Sequence, residues 1–256
     1  MSRVIRVGRA FQARRIARLK GARYMTLLVI SLIASSATAD VVMTAAGLNA
    51  TLKKMERLTR QIQAGGTPER VEARFQLGVE ADGLAALMNQ EVESHGMEQR
   101  ELLDLALSRT KALGIAIAYR RDKKKFFYDG AAFREYIADA PAGVHAADAE
   151  FALLSYQFYQ SGAGDAAALT AAAEAKKRFL ARYPKYKGNA DLSLFLAVDY
   201  RDLYRRYRDA HDEASAEKYR MLTRAEYRRI VRRYPTAEQG RTARQLLRRF
   251  DEETPR

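Results

Sequence analysis

The chain has 256 residues, with 45 Lys or Arg against 31 Asp or Glu, a formal charge of +14, and no cysteine. Without cysteine it forms no disulfide and has no lipobox for acylation, so a disulfide scaffold and a lipid-anchored protein are both excluded as readings. A pI near 10.0 would point to nucleic acid if the excess charge were spread along the chain, but it is concentrated at the N-terminus and in residues 200–249.

Eight basic residues (Arg3, Arg6, Arg9, Arg14, Arg15, Arg18, Lys20, Arg23) and no acid precede an apolar run at residues 27–34. The small-residue site Ala37-Thr38-Ala39 then stands before Asp40. This order predicts a signal peptide over residues 1–39 with cleavage after Ala39, and hence a periplasmic or secreted protein. An Arg-rich, acid-free segment also suits a mitochondrial transit peptide, which is the alternative address. Arg14-Arg15 lacks the aromatic and leucine that follow a twin-arginine signal, and the apolar run is too short and polar to span a membrane. Removing these eight cations against the same 31 acids leaves a mature charge of +6. Nucleic acid as a partner loses most of its support with them. No transmembrane helix and no lipid anchor are expected in the mature chain.

From residue 40 to 66 the apolar positions Val42, Leu48, Leu52, Met55, Leu58 and Ile62 predict an N-terminal amphipathic helix. Gly65-Gly66-Thr67-Pro68 ends it and starts the next, since proline suits a first helical turn. Helices are expected over residues 68–93 and 98–113; in the second, Leu102, Leu103, Leu105, Ala106 and Leu107 are dense enough to suggest burial on two sides. Residues 114–130, GIAIAYRRDKKKFFYDG, break the helical period. Alternating Ile115, Ile117 and Tyr119, then a polar run and the aromatic stretch at residues 125–128, read as an inserted β-hairpin near 115–128, with continuous helix as the alternative. Helices follow over residues 131–140, 145–160, 166–183, 189–208, 214–234 and 237–250, with a loop at Gly162-Ala163-Gly164 and Asp165 as an N-cap.

The later helices share a motif that is plainest at residues 227–235, YRRIVRRYP. Aligned on the proline, Phe133/Tyr136/Ile137/Pro141, Lys176/Phe179/Leu180/Pro184 and Tyr227/Ile230/Val231/Pro235 fall in register, Lys176 being the one polar departure. Apolar residues eight, five and four places before a proline put one stripe on the last turns of a helix, and the proline ends that helix. Ala149/Leu153, Leu192/Leu196 and Ala243/Leu247 stand eight and twelve residues beyond each proline, an i, i+4 pair on the next helix. The unit is helix, stop, helix. Such units bury their apolar faces only by stacking, which predicts an all-α solenoid over residues 67–256.

These units resemble the tetratricopeptide repeats, and most of all the divergent ones of bacterial envelope proteins, the outer-membrane assembly lipoproteins and the Tol-Pal-associated periplasmic coiled-coil proteins. Leu77-Gly78 matches that family's Leu-Gly, with Ala73 at the matching place before it. The chain departs from the family in having no tryptophan, in placing Leu154, Ala197 and Arg248 where the glycine would recur, and in proline intervals of 43 and 51 residues. The resemblance implies protein binding in a concave groove, without catalysis or a cofactor.

A pattern carrying chemistry is missing from the sequence. His95, His145 and His211 form no HExxH or H-x-H pair, and no GxSxG, Walker loop or GxGxxG occurs, so no catalytic residue, metal ligand or cofactor site is assigned. Glu91-Val-Glu93-Ser94 has the acid and following serine of peptidoglycan-cleaving transglycosylases but not their glycine-rich and aromatic context. The leading expectation is an exported helical-repeat adaptor for an envelope protein or peptide. The alternative is a binder of an anionic polymer, nucleic acid or acidic envelope polysaccharide, through residues 200–249, which hold 15 Lys/Arg against 7 Asp/Glu. On the helix at residues 189–208, Leu192, Leu196, Leu203 and Tyr207 form the packing face. Leu194, Val198, Arg201, Arg205 and Arg208 form an opposite stripe, apolar then basic, and are the candidate groove for a partner. A solvated face with Asp202 and Asp209 as partners is the alternative for its arginines.

Overall fold

Short polar side chains open three of the helices. Thr44 accepts from the Gly47 N–H at 3.1 Å, Asp165 from Ala168 at 2.7 Å and Asp212 from Ser215 at 3.0 Å, each satisfying a first-turn donor that has no partner within the helix. The computed structural model describes residues 43–254 other than 97, 122 and 161–164, and of residues 155–160 the backbone alone. The expected signal peptide, its cleavage site and the Gly162-Ala163-Gly164 loop lie outside the described residues. In chain order the elements are α1 (Ala45–Ala64), α2 (Thr67–His95), α3 (Arg100–Ala112), β1 (Ile117–Arg120), β2 (Lys125–Tyr128), α4 (Ala131–Asp139), α5 (Ala146–Gln160), α6 (Ala166–Arg182), α7 (Asn189–Asp209), α8 (Glu213–Arg233) and α9 (Glu238–Glu253). The described residues are thus all-α apart from one antiparallel hairpin.

That hairpin runs in register from Ile117 opposite Tyr128 to Arg120 opposite Lys125. Its outer edge at Phe126 is closed by the Asn89 amide of α2, which donates to the Phe126 carbonyl at 2.9 Å and accepts from its N–H at 2.6 Å. Phe126 and Tyr128 turn inward onto the core. In α3 only Leu103 and Ala106 of the dense apolar set are buried, while Leu102, Leu105 and Leu107 pack at its margin. One face is closed and the flanks are half-covered, rather than two faces buried.

The three proline stops have one geometry. α4, α6 and α8 each end two residues before the proline, and their C-caps Ala140, Tyr183 and Tyr234 have φ/ψ of −140/68°, −121/65° and −129/54°. Each cap N–H still donates to the carbonyl four residues back, of Tyr136, Phe179 and Ile230, so the helix closes its last bond before the proline excludes another helical residue. The first two stops continue alike. Gly143 N–H to the Ala140 carbonyl and Ala146 N–H to the Gly143 carbonyl are repeated by Tyr186 to Tyr183 and Asn189 to Tyr186. The third turn is shorter, and Gly240 lies so close to the Tyr234 carbonyl that no Cβ fits there.

Packing repeats with the backbone. Phe133, Tyr136, Lys176, Phe179, Tyr227 and Ile230, the positions eight and five before each proline, are all at most 2 % exposed. Gly78 makes room for the first of them, since a Cβ there would stand 2.6 Å from the Phe133 ring. Ala197 shares a core cluster with Tyr227. Each helix from α4 to α9 packs on the next in sequence, and α9 also touches α7.

Each unit donates hydrogen bonds back to the one before it. Arg182, two residues before Pro184, donates to the Pro141 carbonyl at 3.0 Å, and Arg233, two before Pro235, donates to the Pro184 carbonyl at 2.9 Å. The aspartate seven residues after each of the first two prolines also accepts from the unit that follows, Asp148 from Tyr186 Oη at 2.8 Å and Asp191 from Gln239 Nε2 at 2.6 Å. Nine residues after the same prolines, Glu150 accepts from Arg182 and Tyr183, and Ser193 from Arg229.

Candidate functional site

The α7 stripe does not line an open groove. Leu194 is 3 % exposed and belongs to the cluster of Ala197, Tyr227, Ile230 and Ala243; Val198 is 7 % exposed. The reason is that α7 is covered on one side by α6 and on another by α8 and α9, so its residues from Asp191 to Tyr200 are all buried. Leu192, Leu196 and Leu203 do pack inward, and Tyr207 lies at the margin of the same core. Of the three arginines, Arg201 pairs with Asp202 at 3.2 Å, Arg205 with Glu253 at 2.9 Å and Arg208 with Asp209 at 2.8 Å. The structure therefore brings the five residues onto one helix but leaves no free apolar anchor among them.

The basic segment divides into arginines that hold the fold and arginines that do not. Arg224 on α8 donates to Asp251 at 2.6 Å and to the Thr254 carbonyl at 2.7 Å, closing the end of α9. Arg220 and Arg229 pair with Glu217 and Glu226 on their own helix, and Arg233 and Arg241 donate to backbone carbonyls. Arg228 and Arg232 on α8, and Arg244, Arg248 and Arg249 on α9, are exposed and have no hydrogen-bond or ion-pair partner among the described residues. Arg244 and Arg248 border an open depression with Leu247, Asp251 and Glu252.

Arg244 and Arg248 stand nine and thirteen residues after Pro235. In the earlier units the ninth position is Glu150 or Ser193, which accepts from the next unit, and the thirteenth is the buried Leu154 or Ala197. At the seventh, Asp148 and Asp191 give way to Thr242. The surface that the two earlier units close with the following unit is thus, in the third unit, exposed among the described residues and changed from acceptor to donor. Sequence reading had marked Arg248 only as a departure from the family glycine; the proline register singles out Arg244 as well.

Inside the array Lys176 Nζ lies 2.6 Å from Asp199 Oδ2, the two side chains being 0 % and 1 % exposed. Burial raises the Asp199 carboxyl to about 6 against the opposing pull of the Lys176 ammonium. Glu91 is likewise buried and accepts from the Met43 N–H at 2.9 Å, tying the entry of α1 to α2, with His95 Nδ1 2.9 Å from its other oxygen. A carboxylate enclosed and engaged in this way anchors a helix. The His145 ring stacks on Phe75 with ring centroids 4.0 Å apart, and the backbone N–H of His145 donates to Tyr136 Oη. Among the described residues no three His, Asp or Glu side chains converge as a metal site, and no helix is long and apolar enough to cross a membrane. Compared with protein-family models and with curated proteins, the chain matches none.

Proposed function

We propose that this chain is an exported, non-enzymatic helical-repeat scaffold that holds protein partners together in the bacterial cell envelope. The observation that carries the reading is the donation of hydrogen bonds from each unit back to the one before it, Arg182 to Pro141 and Arg233 to Pro184, between units that share one stop geometry. Units joined in this way stack into a divergent tetratricopeptide-like solenoid, and such arrays serve binding through extended surfaces. The basic segment before Ala37-Thr38-Ala39 supplies the periplasmic or secreted address.

A second reading, binding of an anionic polymer, draws on the five exposed arginines of α8 and α9 that lack a partner among the described residues. Salt separates the two. The processed protein, used as bait in envelope extract, is expected to retain the same protein partners at low and high salt. Retention of nucleic acid or polysaccharide alone, lost steeply as salt rises, would overturn the scaffold reading in favour of the second. Loss of the N-terminal segment on export is checked by N-terminal sequencing, with Asp40 expected as the first residue; a chain in the cytosol still beginning at Met1 would overturn the address.

A further inference from the structure

Resting on the scaffold reading, we propose that the uncovered face of α9 docks an acidic helical segment of a partner protein, with Arg244 and Arg248 receiving its carboxylates and Leu247 its apolar residue. Continuity argues for a helix as the occupant. On α5 and α7 the equivalent positions are covered by the helices that follow, α6 and α8. In those units the covering helix brings arginine and tyrosine donors to Glu150 and Ser193, whereas α9 presents guanidinium groups at the same register. A further unit of this chain's own type would meet it cation against cation. The complementary surface is one of carboxylates.

Charge pattern argues for protein over polymer. The depression that Arg244 and Arg248 line is also lined by Glu252 and by Asp251, which Arg224 already engages, so its free charge is cationic toward one edge and anionic at Glu252 toward the other. A uniformly anionic chain is repelled by that second edge, while a peptide matches it by carrying a cation there. Arg244 and Arg248 are one helical turn apart, about 6 Å along the axis, which matches acids spaced i, i+4 on a facing helix. Planar guanidinium groups suit bidentate carboxylate recognition, and Leu247, half-buried between the two, offers an apolar contact beneath.

The test uses the processed protein and two fluorescent probes read by anisotropy. One is a 16-residue amphipathic peptide with leucine at helical spacing, glutamates beside it and lysine at the end facing Glu252. The other is a single-stranded 20-mer oligonucleotide. The peptide is expected to bind more tightly, and Arg244→Glu with Arg248→Glu to weaken it by about tenfold or more with helix content and melting unchanged. Leu247→Ser should weaken the peptide and spare the oligonucleotide. Arg228→Glu with Arg232→Glu on α8 should change peptide binding by less than about threefold. Equal loss of both probes from the α8 and α9 variants, or unchanged peptide binding in the α9 variant, overturns the proposal. Concentration-dependent self-association that the α9 variant abolishes would assign the face to a second copy and overturn it too. If the α9 variant still captures the envelope proteins that wild type captures, this docking surface is wrong and the scaffold reading stands; if wild type captures none while the peptide binds at α9, the scaffold reading alone fails.

Discussion

Lys176 interrupts an otherwise apolar register, and its partner explains why the interruption persists. Counted from the prolines, Lys176 and Asp199 hold in the middle unit the positions of Phe133 and Tyr156 in the first and of Tyr227 and Phe250 in the third. An aromatic position in two units has become one half of a buried ion pair in the other. Two charges removed from water gain little net stability from each other, because desolvation offsets their attraction, but either alone is costly. Lys176→Met is therefore expected to destabilise the fold at neutral pH by about 3–5 kcal/mol, while Lys176→Met with Asp199→Leu is neutral or stabilising. Urea unfolding of the singles and the double decides it, and a double variant as unstable as Lys176→Met would show that the pair does more than cancel its own cost. The pH dependence has a definite sign. The folded carboxyl of Asp199 is raised from 3.8 to about 6, so between those values the folded state holds a proton that the unfolded state has lost. Its contribution to stability is present below the lower value and lost as pH rises through the upper one. Wild type measured against the double variant should therefore gain relative stability as pH falls from 7 to 4.

At the scale of the helix, the stop motif acts through the residue eight places before the proline and the surface that receives it. Phe133 fits because Gly78 has no side chain, and Gly78→Ala would put a methyl into the ring's place. We expect a cost of about 1–3 kcal/mol, relieved by adding Phe133→Leu; a loss the second change does not relieve would place the strain in the backbone of α2 instead. The third unit has a tyrosine at this position, Tyr227, 0 % exposed, with a hydroxyl that makes no hydrogen bond among the described residues and is pushed up to about 12 by burial. Tyr227→Phe restores the residue type of the first unit and removes a buried, unsatisfied group, so it should leave the protein as stable or more stable by about 1 kcal/mol. A lower melting temperature would mean that the hydroxyl has a partner after all. Much of this was legible beforehand. The proline register named Phe133, Phe179, Tyr227 and Ile230, and alternation with charged turn residues named the hairpin. The partner of Lys176 was not legible, since a single aspartate in the apolar run 192–200 reads as the solvent edge of a helix until the opposite helix is in place. The same run misled the reading of α7: Leu194 and Val198 were placed on an outer face, and the density of apolar residues around them was itself the sign of burial on both sides.

Among the described residues the apolar side chains gather into neighbouring clusters. Those from Met43 to Ala149 join α1 to α5 and the hairpin, while those from Leu169 to Phe250 and from Leu194 to Ala243 join α6 to α9. Between them Phe151 of α5 packs on Phe179 of α6 and on Tyr186, with ring centroids 6.0 and 5.1 Å apart, beside the polar links of Arg182, Tyr183 and Tyr186 to Glu150, Asp148 and the Pro141 carbonyl. In an array whose units contact chiefly their neighbours, opening should proceed unit by unit from the C-terminal end. The third unit has its α9 face exposed among the described residues and is held by Arg224 to Asp251 and by Gln239 to Asp191 as well as by Ala243 and Phe250. Tyr227→Ala, which empties the centre of that unit at a cost of about 3–5 kcal/mol, is the sharpest probe of this order. Native-state hydrogen exchange should then show amides of α7, α8 and α9 losing most of their protection while those of α2, α4 and the hairpin keep theirs, and thermal unfolding should broaden or split. If every amide loses protection by the same factor, the chain opens as one cooperative body, and the aromatic and polar contacts between units couple the clusters as tightly as a common interior would.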